Sequence, residues 1–264
     1  MKIRGFSRRN LNLYLRDRRV IFVLGIIAFL VVGLLLPEMA VAAPGGRIVR
    51  AIATTFWGRA IFALLTILFL PFLIYTWITE AIAERRTRKD LTTLAQTSPF
   101  FDWFTLEERA TECFYQVHQA WSKEDMRQAS EWMSDWYWQN QQQVYLNRWE
   151  AENLVNYCRV RNVKQLRPLY VRCLQKDFGF ENSRVAIAIV AEMEDYLADR
   201  ETGEIVEGET GFKDAEFVWT FVIQNQKWVV GKIEESTMAL TYAKLANEIP
   251  KLWPNNSPRN SVIE

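Results

Sequence analysis

The chain has one histidine in 264 residues, His118, and any acid–base chemistry near neutral pH starts there. An imidazole presented to a pocket can serve as a general base. Glu192, Glu194 and Asp195 are the carboxylates that could orient it, though no spacing ties them to it. His118 also lies one turn past Phe114 on the apolar side of a helical stretch, where a packed core histidine is the simpler reading. Trp132, Trp136, Tyr137, Trp138 and Tyr145, with Trp219, offer rings for a small apolar ligand, and helix–sheet packing explains the same residues. Two basic groups could meet phosphates: Arg85, Arg86, Arg88 and Lys89, and the stripe Arg159, Arg161, Lys164, Arg167 and Arg172. A solvated strand edge is the alternative for the stripe. Cys113, Cys158 and Cys173 are odd in number and widely spaced, which fits a reducing compartment and shows neither a disulfide framework nor metal-ligand spacing. The sequence has no P-loop, dinucleotide fingerprint, zinc motif or nucleophile elbow, so no cofactor and no catalytic residue is expected.

The charge pattern places these residues beside a membrane. Residues 1–83 hold ten Lys/Arg against three acids, a net +7, and the rest of the chain is net −6. A nucleic-acid-binding domain would be basic, so that class loses weight. A basic leader, 1–19, precedes the uncharged run Val20–Leu36 and Ala40-Val41-Ala42. These describe either a first transmembrane helix or a signal peptide over 20–43, cleaved after Ala42. Residues 60–79 contain no charge, carry Tyr75 and Trp77 near one end and form the cleaner span. The basic residues at 85–89 and in the leader put both flanks in the cytoplasm under the positive-inside rule, and the soluble domain with them. Residues 80–104 are expected as a tether whose Phe100, Phe101, Trp103 and Phe104 dock on the domain or at the membrane interface.

The domain itself, 105–253, reads as helices followed by an antiparallel sheet, an α+β layout. Thr105-Leu106-Glu107-Glu108 predicts a capping box. The apolar positions Leu106, Ala110, Cys113, Phe114, Val117 and Trp121 follow at helical spacing. A second helical stretch runs from Met126 to about Tyr157, with its period interrupted near Ser134–Trp138, then strands over 159–176 and 183–197, a polar turn at 199–203 and a short edge strand at Ile205–Gly208. Phe212 to Glu235 forms a hairpin. With Asn225-Gln226 as a two-residue loop, one face carries Ile223/Trp228, Phe221/Val230, Trp219/Lys232 and Phe217/Glu234. The other carries Val222/Val229, Thr220/Gly231 and Val218/Ile233. Both faces are largely apolar, so helices must cover one and something else must meet the other. A helix over 237–252 and a loose tail, 254–264, end the chain.

Ala110, Phe114, His118, Ala120-Trp121 and Asp125, then Glu204 to Gly208, Glu216 to Phe221, Trp228 and Ile233, resemble the C-terminal domain of the mitochondrial presequence translocase's 44-kilodalton peripheral subunit. The resemblance covers about residues 100–235. It departs at His118, where the family more often has glutamine, and in the double apolar N-terminus. It implies a nuclear-transport-factor-2-like cone in which helices lie in a curved antiparallel sheet. Bacterial relatives carry an N-terminal signal or anchor, and mitochondrial ones act as membrane-associated adaptors in protein import or in holding ribosomes at the inner membrane. The expected function is therefore that of a membrane-anchored adaptor. Its expected partners are the lipid bilayer, anionic lipid head groups, a protein of a membrane complex, translocation machinery or the ribosome, and a second copy of the chain. The alternative is a cone pocket, with His118, Trp132, Trp136, Tyr137, Glu194 and Trp219, that binds a small apolar ligand or slowly transforms it.

Overall fold

The computed structural model describes residues 56–175 and 179–250. The expectations for the leader, the first apolar segment and the tail lie outside these residues. The chain divides into two units, Met1–Tyr75 and Thr76–Glu264.

Helix α1 is Phe56–Ala95, with Pro71 inside it. Leu64, Ile67, Leu68, Phe69, Phe72 and Leu73 are all exposed and lie on every side of the helix, as in a segment that faces hydrocarbon. Among the described residues this is the one helix long and apolar enough to cross a membrane, within Ile67–Ala95.

In the second unit the end of α1 leads into α2 (Trp103–Ser122), α3 (Asp135–Gln141) and α4 (Asn147–Ala151). The strands β1 (Leu154–Arg172), β2 (Arg184–Asp199), β3 (Ile205–Gln224) and β4 (Lys227–Glu235) follow, then the short α5 (Ala239–Lys244). The strands pair in chain order as an antiparallel meander, and the whole is the expected α+β, nuclear-transport-factor-2-like cone. The predicted capping box gives way to Asp102, whose carboxylate accepts the Thr105 backbone N–H and starts α2 two residues earlier. The apolar stripe behaves as its spacing requires: Leu106, Ala110, Cys113, Phe114 and Val117 are buried.

The strands differ from expectation at their ends. The second helical stretch stops at Ala151, and β1 begins at Leu154, so Tyr157 is a strand residue stacked on Tyr196 at 4.9 Å. The helical stretch is broken at 130–134, where the Ser134 N–H donates to the Val230 carbonyl at 2.9 Å and turns this segment onto the edge of β4. Ile205–Gly208 is no separate edge strand but the start of β3, paired with β2. The last helix ends at Lys244, and Glu248 then bridges to Arg172 on the edge of β1.

The hairpin turn is at Asn225-Gln226, with φ of 50° and 60° and Gln224 opposite Lys227. The pairs Ile223/Trp228, Val222/Val229 and Phe221/Val230 form as the two-residue loop dictates. Beyond them a bulge at Gly231 shifts the register by one, so that Trp219 meets Ile233 and Thr220 meets Lys232. Gly231 permits this because any Cβ there would sit 3.1 Å from Val222 Cγ1. The shift is favourable, since it places Ile233 rather than Lys232 beside Trp219 against the core.

Both faces of the sheet are closed from within. On the concave face Val185, Ile187, Ile189, Trp219 and Phe221 pack against α2 and the end of α1. On the convex face Leu169, Tyr170, Ala186, Ala188 and Val218 pack against Met238, Ala239 and Tyr242. The second apolar face of the hairpin is therefore covered by the chain's own C-terminal turn. Tyr242 secures it, its hydroxyl donating to Glu234 at 2.7 Å and lying 3.1 Å from Thr220 Oγ1.

The stretch expected as a tether is a docked part of the domain. Helix α1 continues to Ala95, where Leu91 and Leu94 enter the core. Arg86 donates to the Leu245 carbonyl at 2.6 Å, and Asn247 bonds Thr87 and Asp90. Arg88 donates to the Leu166 carbonyl and lies over the Trp103 ring. Phe101 is fully buried and Phe100 and Trp103 pack on the core, which leaves only Phe104 of the four aromatics outside, 67% exposed.

Candidate functional site

The site builds from α2 outward. Phe114 and His118 are one helical turn apart, so their rings meet at 4.1 Å, tilted by 42°, and Trp219 of β3 closes on both at 4.9 and 5.6 Å, stacking on His118. His118 Nδ1 is 2.7 Å from the Phe114 carbonyl, an acceptor only, so Nδ1 holds the proton of the neutral ring. Burial pushes the imidazole below its ordinary value, against the opposing pull of the Phe114 carbonyl and the Asp195 charge. The unfolded chain therefore binds the proton more readily than the folded one. Stability should be intact above the unfolded value and be lost progressively as pH falls below about 6.5, with a slope of at most about 1.4 kcal/mol per pH unit. Thermal unfolding followed between pH 7.5 and 5.5 checks this. His118→Gln should flatten the profile, and an equally steep profile in the variant would assign the loss to other groups.

Beside His118 lies a cavity of about 220 Å3. Trp121 of α2, Tyr137 and Gln141 of α3, and Tyr145 and Trp149 line one side. Asn156 and Cys158 of β1, Asp195 of β2 and Phe217, Trp219 and Ile233 of the hairpin line the other. The π-helical turn Gln142–Leu146 carries Tyr145, and α4 brings Trp149 around to it. The rings of Trp121, Tyr145 and Trp149 stand 5.6 to 5.9 Å from one another. The Tyr137 hydroxyl accepts the Ile233 N–H at 2.8 Å, and burial pushes this phenol up to about 12.

Sheet parity sorts the carboxylates. Cys158 lies opposite Asp195 and Arg159 opposite Glu194 in the β1–β2 register, so the first pair faces the cavity and the second faces away. Of the sequence-derived pocket residues, His118, Tyr137, Tyr145 and Trp219 meet at the cavity. Trp132 packs on the core elsewhere, and Trp136 is 71% exposed. Glu194 is on the wrong face for a pocket, bonded to Arg159 and to the Gly211 N–H, which hold its carboxyl below the usual range. Glu192 is likewise on the outer face, paired with Arg161. Asp195 alone of the three shares the cavity with His118.

The basic stripe is not an open positive surface. Arg159 pairs with Glu194, Arg161 with Glu192, and Lys164 with Asp214 and Glu192. Arg167 is buried and pairs with Glu216 and, at 2.6 Å, with Glu80 of α1. Arg172 pairs with Glu248. Arg86 and Arg88 are committed to the domain, while Arg85 and Lys89 remain exposed on α1. All three cysteines are free and buried, and burial raises their thiols. Among the described residues no group of three or more His, Cys, Asp or Glu side chains could hold a metal ion.

Residues 87–234 match the family model described as the Tim44-like domain. The chain belongs to the Tim44-like domain family. The matched stretch includes the end of α1, all of α2, the cavity walls and the hairpin up to Glu234. The intermembrane space region of the chloroplast protein ARC6 is a similar solved structure, with a TM-score of 0.36 and 11% identity over 51% of this chain and 98% of that one. No curated protein matches the chain. Within the Tim44-like domain, sequence reasoning did not assign Trp121, Trp149, Asn156, Cys158, Phe217 or Ile233 to a pocket. Trp121 and Cys158 carried no signal beyond apolar periodicity. Asn156 was read as helical, which hid its strand parity with Asp195.

Proposed function

We propose that this protein is a membrane-anchored adaptor whose Tim44-like domain presents a binding surface for a protein partner at the cytoplasmic side of a bilayer. The observation that carries this reading is α1, an apolar helix long enough to span, whose C-terminal part from Thr76 lies in the second unit, enters the family match at Thr87 and is bonded into the domain. Anchor and domain are then consecutive in the chain, with no separate module between them. The basic residues Arg85 and Lys89, exposed on α1, support a cytoplasmic flank and contact with anionic head groups. Trp136 and Val206, 71% and 59% exposed, are apolar side chains available to a partner. Homo-oligomerisation through the same surface is the form this takes if the partner is a second copy.

Two measurements test the proposal. A reporter that is active only in the cytoplasm, joined after Glu264, should be active, and activity from an exported reporter alone would refute the orientation. A photo-crosslinking residue at Phe104, Trp136 or Val206 should give a discrete protein adduct in native membranes. Adducts to lipid alone at all three positions would end the adaptor reading.

A further inference from the structure

The cavity beside His118 has a charge pattern that restricts its occupant. Four carboxylates of β2 and β3, Glu192, Glu194, Asp214 and Glu216, each pair with an arginine or lysine on the convex face. Asp195, on the opposite face, has no ion pair among the described residues. Its Oδ1 accepts one hydrogen bond, from Asn156 Nδ2 at 2.9 Å. No lysine or arginine lines the cavity, and Asp195 is its one charged wall residue at neutral pH. The remaining wall is dominated by rings: Trp121, Tyr145 and Trp149, which cluster together, and Phe217 and Trp219 of the hairpin.

Aromatic faces attract cations through their quadrupoles, and they do so more strongly when the cation is only weakly hydrated. An unpaired carboxylate adds a Coulomb term of the same sign, moderated by solvent because Asp195 is exposed. Anions are disfavoured by both terms. We propose that this cavity is a binding site for a small organic cation of the alkylammonium class, with the clustered rings of Trp121, Tyr145 and Trp149 forming one aromatic wall against the ammonium carbons and Asp195 setting the sign of charge. Size agrees: benzene fills a cavity of about 150 Å3, so this one accepts a ligand of roughly nine non-hydrogen atoms. Asn156 contributes by holding the Asp195 carboxylate in place, and the Tyr137 hydroxyl is already engaged by the Ile233 N–H and adds no polar demand. The inference stands apart from the anchoring proposal, because it uses no residue of α1.

The test is a titration of the full chain in a non-ionic detergent, followed by tryptophan fluorescence and by the midpoint of thermal unfolding. The probes are choline, its neutral isostere 3,3-dimethyl-1-butanol, the carboxylate 3,3-dimethylbutyrate, and phosphocholine. Choline should saturate and raise the unfolding midpoint, and the neutral isostere should bind at least tenfold more weakly. The carboxylate should not bind. Phosphocholine should bind more weakly than choline, because its phosphate would approach Asp195; tighter binding of phosphocholine would mean that the carboxylate does not set the selectivity. Asp195→Asn, an exposed change, should keep the fold and lose the preference for choline over the isostere. Trp149→Leu should weaken choline at least fivefold while circular dichroism confirms folding. Equal affinity for choline and the alcohol, an unaffected Asp195→Asn variant, or no saturation by choline would each overturn the proposal.

Discussion

Replacing Trp219 by alanine should destabilise the domain by about 4 kcal/mol, the cost of removing a fully buried indole and leaving a void. Trp219 is 1% exposed and touches Phe114, His118 and Phe221 at ring separations of 4.9, 5.6 and 6.2 Å. For a domain of this size the midpoint should fall by roughly 8–16 °C in a thermal melt of the detergent-solubilised chain. Trp136→Ala is the control. That side chain is 71% exposed, so its loss should change stability by no more than about 0.5 kcal/mol. Equal effects in the two variants would mean that Trp219 does not join α2 to the hairpin. The two residues looked alike in the sequence, both tryptophans in apolar stretches. One is the centre of the concave core, and the other sits on the outer side of a two-turn helix.

Arg167→Gln should cost about 3 kcal/mol, or roughly 6–12 °C in the same melt. The guanidinium is buried, and burial alone works against its charge; Glu216 and Glu80 outweigh that and keep it ionised. Removing it leaves two carboxylates facing each other without a cation, which is the expensive way to break a buried pair. Adding Glu80→Gln and Glu216→Gln should therefore recover most of the loss. Arg161→Gln, whose side chain is 57% exposed, should change stability by only about 0.5 kcal/mol. If Arg167→Gln melts with the parent, the Glu80–Arg167–Glu216 triad does not tie α1 to the sheet. This departs from the reading of Arg159, Arg161, Lys164 and Arg167 as one exposed stripe. Their spacing in the sequence carried no information about the register shifts within β1 or about the acids of β2, β3 and α1 that meet them.

The turn at Asn225-Gln226 and the apolar face of α2 were legible because both rest on local rules, side-chain period and loop length. The hairpin register was legible for only its first turns. The bulge at Gly231 depends on Ile233 competing successfully with Lys232 for the place beside Trp219, a long-range choice. The same limit explains the cavity. His118, Tyr137, Tyr145 and Trp219 could be named from residue type, whereas Asp195 and Glu194 are adjacent and chemically alike. Their opposite roles follow from which face each strand position takes once β1 starts at Leu154.

By itself, then, the sequence determined the family, the α+β order of elements and the apolar span, since short motifs, hydrophobic period and uninterrupted apolar length are properties of neighbouring residues. The tertiary structure alone decided what closes the second face of the sheet, which arginine is buried, and which carboxylate faces the cavity. Those outcomes depend on contacts between residues tens of positions apart, Tyr242 with Thr220, Arg167 with Glu80, Asn156 with Asp195, and their energies exist only after the chain has been brought together.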